Sequence, residues 1–387
     1  MRTNHLSADR SIEILGKQAM LRGLSFIFVI MALLFIAPRL VQAVAGDLDP
    51  TFGNGGVVQT DFSGGDDYGF GVKVQSDGKT VVVGQSGVYP LFHSALTRYN
   101  RNGTLDRTFG TSGKVVAALD SGGDGSTAIA FQPDGKIVTA GSVIHNNFVL
   151  AFVTARFNSD GSLDQTFGTN GSVQTTFGDA AAEGNDVVLQ ADGKIIVVGF
   201  TGTGSYSSFN NFALVRFNSD GSLDQSFGVG GKVKSARGVA TSAALQADGK
   251  ILVGGTYDTG SSNGFMVACY NSNGTLDQTF GTGGIAATDF SGGTDDIAYA
   301  LAVQRDNKIV LGGRTGDYPT FNFAIARYTS AGQLDQTFGT GGKVLTAVSN
   351  DSNGYALTIA GGKITLAGAI ANSQSPFDFG VARYLVR

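Results

Sequence analysis

The chain has no tryptophan, one cysteine, three histidines and six prolines among 387 residues. With Cys269 as the sole thiol, no intrachain disulfide can staple the fold, so the core itself must hold it. Only His93 and His145 remain once the first 45 residues are set aside, and no cysteine lies near either. A nucleophile–base pair therefore has little to be built from. Scarce proline beside 58 glycines excludes both a collagen-like chain and a proline-rich linker. Aliphatic and aromatic content is too high for disorder. No P-loop, Cys/His metal cluster or dinucleotide-binding context is present. Gly202-Thr203-Gly204-Ser205 begins a Gly-x-Ser-x-Gly pattern without its second glycine, in a loop and not at a strand-to-helix elbow.

What is present begins with a leader. Arg10, Lys17 and Arg22 precede a fourteen-residue apolar run from Leu24 to Ala37, and Ala43-Val44-Ala45 offers a small-residue cleavage site. This reads as a secretory signal peptide over residues 1–45, with Met20 as an alternative start. A retained membrane anchor is the rival reading, against which stand the interruption at Pro38-Arg39 and a run shorter than the roughly 20 residues a spanning helix needs. Residues 1–45 hold five of the 27 bases and two of the 31 acids, which leaves 22 bases against 29 acids, a net charge of −7. No basic stripe appears, so nucleic acid is not an expected partner, and a monomer exported to the periplasm, cell surface or medium, with no membrane span after cleavage, is.

The rest is organised by a tag, Leu-Asp-x-Thr/Ser-Phe-Gly. It starts at Leu48, Leu105, Leu163, Leu223, Leu276 and Leu334, at intervals of 57, 58, 60, 53 and 58 residues. A period that regular marks one structural unit used six times across residues 46–387. Within the third unit, Ser172–Phe177 alternates as a strand and a Gly/Asp-rich loop follows. Asp186–Gln190 is then a second strand, and Asp192-Gly193 reads as a two-residue hairpin turn. Ile195–Gly199 is continuously apolar, and Phe212–Phe217 alternates again. Four short strands per unit predict an all-β chain, a six-bladed β-propeller of four-stranded antiparallel blades. A parallel β-helix, the competitor, has rungs much shorter than this period. The array starts in a tag and stops at a fourth strand (Arg383-Tyr384-Leu385), which predicts a ring closed by its own two ends.

The tag, the Asp-Gly-Lys turn (Asp77, Asp134, Asp192, Asp248, eroded at Asn307 and Gly361) and the strand ending Arg-Tyr/Phe resemble the bacterial delta-60 repeat family. The ending is seen at Arg98, Arg156, Arg216, Arg327 and Arg383, with Cys269 departing from it. The resemblance covers essentially all of residues 46–387. It implies a β-propeller and brings no catalytic residue with it.

Two features invite a metal. The turn leading into each tag has oxygen ligands at calcium-loop spacing, but its first acidic position falls on arginine, which is expected to pair with the turn's own aspartate instead. The loops after strand one hold Asp61, Asp66, Asp67, Asp120, Asp124, Asp289, Asp295 and Asp296, candidate calcium ligands that also serve any exposed turn. No other cofactor is expected. Turns and tags share one face of the array and barely vary, whereas the opposite face collects variable loops with Tyr89, Tyr206, Tyr257 and Tyr318 as aromatic anchors. The expectation is a non-catalytic binding or scaffold module for an extracellular or envelope protein or polysaccharide. A hydrolase or lyase using acids near a central channel is the alternative, and a purely structural envelope role is a third reading. The missing tryptophan weighs against a dedicated sugar lectin.

Overall fold

The computed structural model describes residues 48–386 apart from 63, 90, 146–148, 203–209, 259–261, 291–293, 318–319, 348–350 and 372–377. The signal-peptide reading of residues 1–45 lies outside the described residues. Thr51–Arg387 form one compact unit. Every described element is a β-strand, and none is a helix long and apolar enough to cross a membrane.

Hydrogen bonding joins the strands into five sheets, each meandering up and down in chain order. The first holds β1 (Asp66–Val74), β2 (Thr80–Val88), β3 (Leu91–Tyr99) and β4 (Lys114–Ala117). The second holds β5 (Asp124–Phe131), β6 (Ile137–His145), β7 (Val149–Phe157) and β8 (Ser172–Thr175). A seven-stranded sheet follows: β9 (Ala181–Leu189), β10 (Ile195–Gly202), β11 (Asn211–Phe217), β12 (Lys232–Leu245), β13 (Ile251–Asp258), β14 (Asn263–Tyr270) and β15 (Ile285–Thr288). Next come β16 (Ile297–Val303), β17 (Ile309–Asp317), β18 (Thr320–Tyr328) and β19 (Lys343–Thr346). The last sheet has three strands, β20 (Asp351–Ala360), β21 (Lys363–Ala371) and β22 (Asp378–Leu385).

Five sheets, and not six of four strands, is a correction with two causes. After the fourth tag, at Leu223, the Gly/Asp-rich crossover is missing, which is also why the interval to the next tag, 53 residues, is the shortest. β12 runs on unbroken: Lys232–Arg237 pair with β11 and Gly238–Leu245 with β13, fusing two four-stranded sheets. At the other end β22 has no partner on its outer edge among the described residues. A second correction concerns membership. The strand after each tag does not start a new sheet: β8 turns back on β7, pairing Ser172 with Ala155 and Thr175 with Phe152. The tag is a reversal, and the chain crosses to the next sheet only after it.

The Asp-Gly turns also differ from expectation. Only Gly193 has positive φ (84°), and the loop spans 190–194, closed by Gln190 N–H to the Lys194 carbonyl at 2.9 Å. The aspartate instead accepts the lysine N–H (Asp192 Oδ1, 3.2 Å). A true two-residue turn occurs in the sixth unit, where Gly361 and Gly362 both have positive φ between Ala360 and Lys363.

Five of the six tag phenylalanines fill the space between successive sheets or half-sheets. Phe109, Phe167, Phe227, Phe280 and Phe338 are buried in five separate apolar cores, one per seam. Burying such a ring contributes about 2–3 kcal/mol. The innermost strand of every unit carries one bulge, which sets one extra residue aside: Phe70, Thr127, Asn185, Thr241, Tyr299 or Tyr355. Three of these bridge to the next innermost strand: Thr127 Oγ1 donates to the Gly184 carbonyl, Asn185 Nδ2 to Ala240 and Thr241 Oγ1 to Ala298.

The expected closure is not seen. The innermost strand of each later sheet, or half-sheet, packs on the one before, but no comparable packing joins β20–β22 to β1–β3 among the described residues. Val72 and Val74 on β1 are therefore 62% and 63% exposed, and Val381 and Leu385 on β22 63% and 70%.

Candidate functional site

The tag is a compact electrostatic device, and each of its letters has a task. At the third tag Asp164 Oδ1 accepts the N–H and hydroxyl of Thr166 (3.1 and 2.7 Å), which explains Thr or Ser two places on. Its Oδ2 accepts Arg156 Nε at 2.7 Å and Lys136 Nζ, from the Asp-Gly-Lys turn, at 2.8 Å. The guanidinium carbon stands 4.7 Å from the centre of the Phe167 ring, and its Nη1 donates to the Ser219 carbonyl of the next unit. Gly168 has φ 55°, and a Cβ there would stand 2.5 Å from the Ser172 carbonyl oxygen. So the arginine pairs with the tag aspartate and not with Asp160 in the turn, as the sequence had suggested.

The arrangement recurs as Lys79–Asp106–Arg98, Lys194–Asp224–Arg216 and Lys308–Asp335–Arg327. Burial alone would raise these carboxyls. The hydrogen bonds from lysine and from Thr or Ser outweigh it and hold Asp106, Asp164, Asp224 and Asp335 well below the usual carboxylate range. In the fourth unit Cys269 replaces the arginine. Asp277 keeps the Thr279 hydroxyl and Lys250 (2.9 Å), which lower it to about 2, while burial pushes the Cys269 thiol up to about 11.

At the opposite end five of the eight acidic candidates are spent on the backbone. Asp67 Oδ2 accepts Phe62 N–H (2.9 Å), Asp124 Oδ2 accepts Leu119 N–H (2.9 Å) and Asp296 Oδ2 accepts Phe290 N–H (2.7 Å), the same capping bond in three crossovers. Asp124 also accepts Ser94 N–H and lies 3.1 Å from His93 Nδ1. Asp61 caps Gly64, Asp120 caps Gly122, and Asp295 accepts Asn263 Nδ2. Asp66 begins β1 opposite Gly87, and Asp289 lends its carbonyl to Lys343. Burial raises the Asp296 carboxyl despite the Thr315 hydroxyl bond. Among the described residues no three His, Cys, Asp or Glu side chains converge as metal ligands would.

Of the aromatic candidates, Tyr89 is 83% exposed at the tip of β2. Tyr257 is half-buried with its ring laid across Gly264, where a Cβ would stand 2.1 Å from it; burial, then Asp289 and Asp296, push its hydroxyl pKa up. Tyr206 and Tyr318 lie outside the described residues, as does the side chain of His145. Two acids that the sequence reading passed over lie on β9. Burial raises the Glu183 carboxyl. Asp186 is raised by burial as well, although it accepts Ala243 and Val187 N–H at 2.8 Å each.

A family described as "Domain of unknown function (DUF5122) beta-propeller" matches residues 75–109, 132–167, 190–227, 246–280 and 304–338, each segment running from an Asp-Gly-Lys-type turn to a tag. The chain is a β-propeller repeat protein. Solved structures similar to this repeat protein include an inactive virginiamycin B lyase from Staphylococcus aureus with quinupristin (11% identity, 85% of this chain and 87% of that one, TM-score 0.46). An ulvan lyase of a polysaccharide lyase family (12%, 81% and 79%, 0.48) and Sqt1 from Chaetomium thermophilum (13%, 84% and 73%, 0.44) are others. Likenesses this distant bear on neither activity nor ligand. No protein with a curated description matches.

Proposed function

We infer that this protein is an exported, non-catalytic binding module of the delta-60 type. Its uniform tag end is a frame, and its crossover end presents loops to an extracellular protein or polysaccharide. The observation behind this reading is the contrast in how charge is used. At the tag end each latch aspartate is matched by cations and hydroxyls within the latch, which leaves little chemistry free for a ligand. Loop identity and length vary most at the other end, where Tyr89 stands exposed. Residues 46–387 on a support, offered a panel of polysaccharides and envelope proteins, should retain a ligand that Tyr89→Ser releases. Retention unchanged by Tyr89→Ser and by loop exchange would end this reading. The same panel read for new reducing ends or unsaturated products tests the alternative, a hydrolase or lyase. Glu183 and Asp186, raised acids on one innermost strand, favour that alternative, and Glu183→Gln should then abolish product.

The finer architecture is a six-bladed ring in which Val57–Thr60 add to β22. Thr60 Oγ1 meets the Tyr99 hydroxyl at 2.7 Å, as Ser235 of β12 meets Tyr270, Thr288 of β15 meets Tyr328 and Thr346 of β19 meets Tyr384. Gly53 N–H binds the Asn102 carbonyl as Gly168 N–H binds Asp220. The segment thus sits on the first sheet as outer strands sit on the sheet that follows them, while β22 has no outer strand among the described residues. A cysteine pair placed at Gln59 and Ala382 should cross-link within the monomer. Cross-linking only between chains would instead favour an open array.

A further inference from the structure

Outside the cores, each pair of neighbouring units meets at a rim seam, and five described seams can be compared position by position. At three of them an aromatic residue at the start of the crossover is covered by the first lysine of the next unit's outer strand. Lys114 Nζ lies 5.8 Å from the Phe62 ring centre and donates to the Asp61 carbonyl (2.9 Å). Lys232 lies 5.7 Å from Phe177 and donates to Thr176 (2.7 Å), and Lys343 lies 5.7 Å from Phe290 and donates to Asp289 (3.1 Å). The two partners occur together or not at all: the remaining seams pair Leu119 with Ser172 and Arg237 with Ile285. At the Arg237 seam β12 is continuous, so there is no crossover to open.

The Leu119–Ser172 seam keeps its crossover and loses both halves of the stitch. Its groove measures about 860 Å³, against 640 Å³ at the Phe62–Lys114 seam and 590 Å³ at the Phe177–Lys232 seam. Leu119, Leu163 and Val173 supply an apolar floor, and Asp220 is the one charged lining residue. Gln174 holds the Asp120 carboxylate (3.1 Å) and the Leu119 carbonyl (3.4 Å) at its edge. β8, whose Ser172–Gln174 line the groove, is an edge strand; the Ser172 carbonyl and N–H already bond Thr169 (2.9 and 3.3 Å), which leaves Gln174, two places on, as the outward backbone position. Lysine is a residue that commonly guards such edges, and the outer strands at the three stitched seams carry or follow it. This one does not.

We propose that this groove is a second binding site, on the rim, for an extended peptide segment of a partner protein carrying a lysine side chain. The peptide backbone adds to the outer edge of β8 at Gln174, and its ammonium group takes the place that Lys114, Lys232 and Lys343 fill elsewhere, now facing Asp220 and Asp120. The groove borders the crossover at Leu119 and Asp120 but includes none of the tyrosine anchors, so Tyr89→Ser should leave it unchanged and the two readings fail separately.

The test uses residues 46–387 and a library of acetylated, amidated hexapeptides with lysine or norleucine fixed at one position and the others randomised. Wild-type protein should retain lysine peptides roughly tenfold over norleucine peptides, the effect of about one charge-assisted hydrogen bond. The double variant Leu119→Phe with Ser172→Lys rebuilds a stitch the fold already tolerates at three seams; it should fold normally and lose that preference. Asp220→Asn should weaken it severalfold. Equal retention by wild type and the double variant, no retention by either, or displacement of the peptide by a neutral oligosaccharide would overturn the proposal.

Discussion

The two ends of these sheets use the same residue, aspartate, in opposite ways. At the tag end it is the hub of an ion cluster, held by a lysine, an arginine and a hydroxyl, and the cluster repeats almost unchanged. At the crossover end it is a cap that accepts backbone N–H groups, and the residues around it differ from unit to unit. A latch that joins neighbouring units must match both, so its chemistry is constrained. A cap serves its own loop and leaves the rest of that loop free. The same logic separates the frame from the surface that can specialise.

The strongest way to break the comparison is through the tag phenylalanines. Phe227→Ala should cost about 4 kcal/mol, because the ring is fully buried in a seam. Phe52 is only half-buried in the structure, so Phe52→Ala costs little if the array is open. If Val57–Thr60 complete the last sheet, its cost rises to match Phe227→Ala. Urea midpoints of the two variants decide between these outcomes.

Next in size is the hub itself. Asp164→Ala leaves Arg156, 6% exposed, without its carboxylate and should cost about 3 kcal/mol. Asp277→Ala strands only Lys250, whose side chain is 35% exposed and free to turn to water, and should cost about 1 kcal/mol. Equal losses would mean that the arginine adds nothing to the latch. The converse change, Cys269→Arg, should stabilise by about 1 kcal/mol, because Lys250, Asp277 and Thr279 are already placed as in the other units. A lower thermal midpoint would show that the fourth unit has closed the space.

Much of this frame is legible in the chain. The tag interval, the apolar run Ile195–Gly199 and the alternation in Phe212–Phe217 report strand and unit directly, because periodicity is a local property. Sheet membership is not local: nothing in Ser172–Thr175 says whether it pairs with β7 before it or β9 after it. The arginine's partner follows the same rule: Asp160 is four residues from Arg156 and Asp164 eight, and only the reversal at the tag selects the farther one. The calcium candidates show the limit of composition, because acids that cap N–H groups and acids that hold a cation look alike until their neighbours are placed. The Phe–Lys stitch was readable as a paired occurrence across units, but only once each outer strand is assigned to its own seam.

The smallest expected effect tests the comparison by pH. The tag aspartates have folded pKa values below the unfolded value near 3.8, so the stability they supply is present above that value and is lost as pH falls through the folded one. Glu183 runs the other way. Its folded pKa lies above the unfolded 4.5, so it carries no penalty in acid, and a cost appears as pH rises through the folded value. Glu183→Gln should therefore raise the urea midpoint at pH 7 and leave it unchanged at pH 4, while Asp164→Asn lowers it at pH 7 and flattens the acid limb. If Glu183→Gln destabilises at both pH values, the carboxylate is a hydrogen-bonding member of the innermost strand and the two ends do not oppose each other.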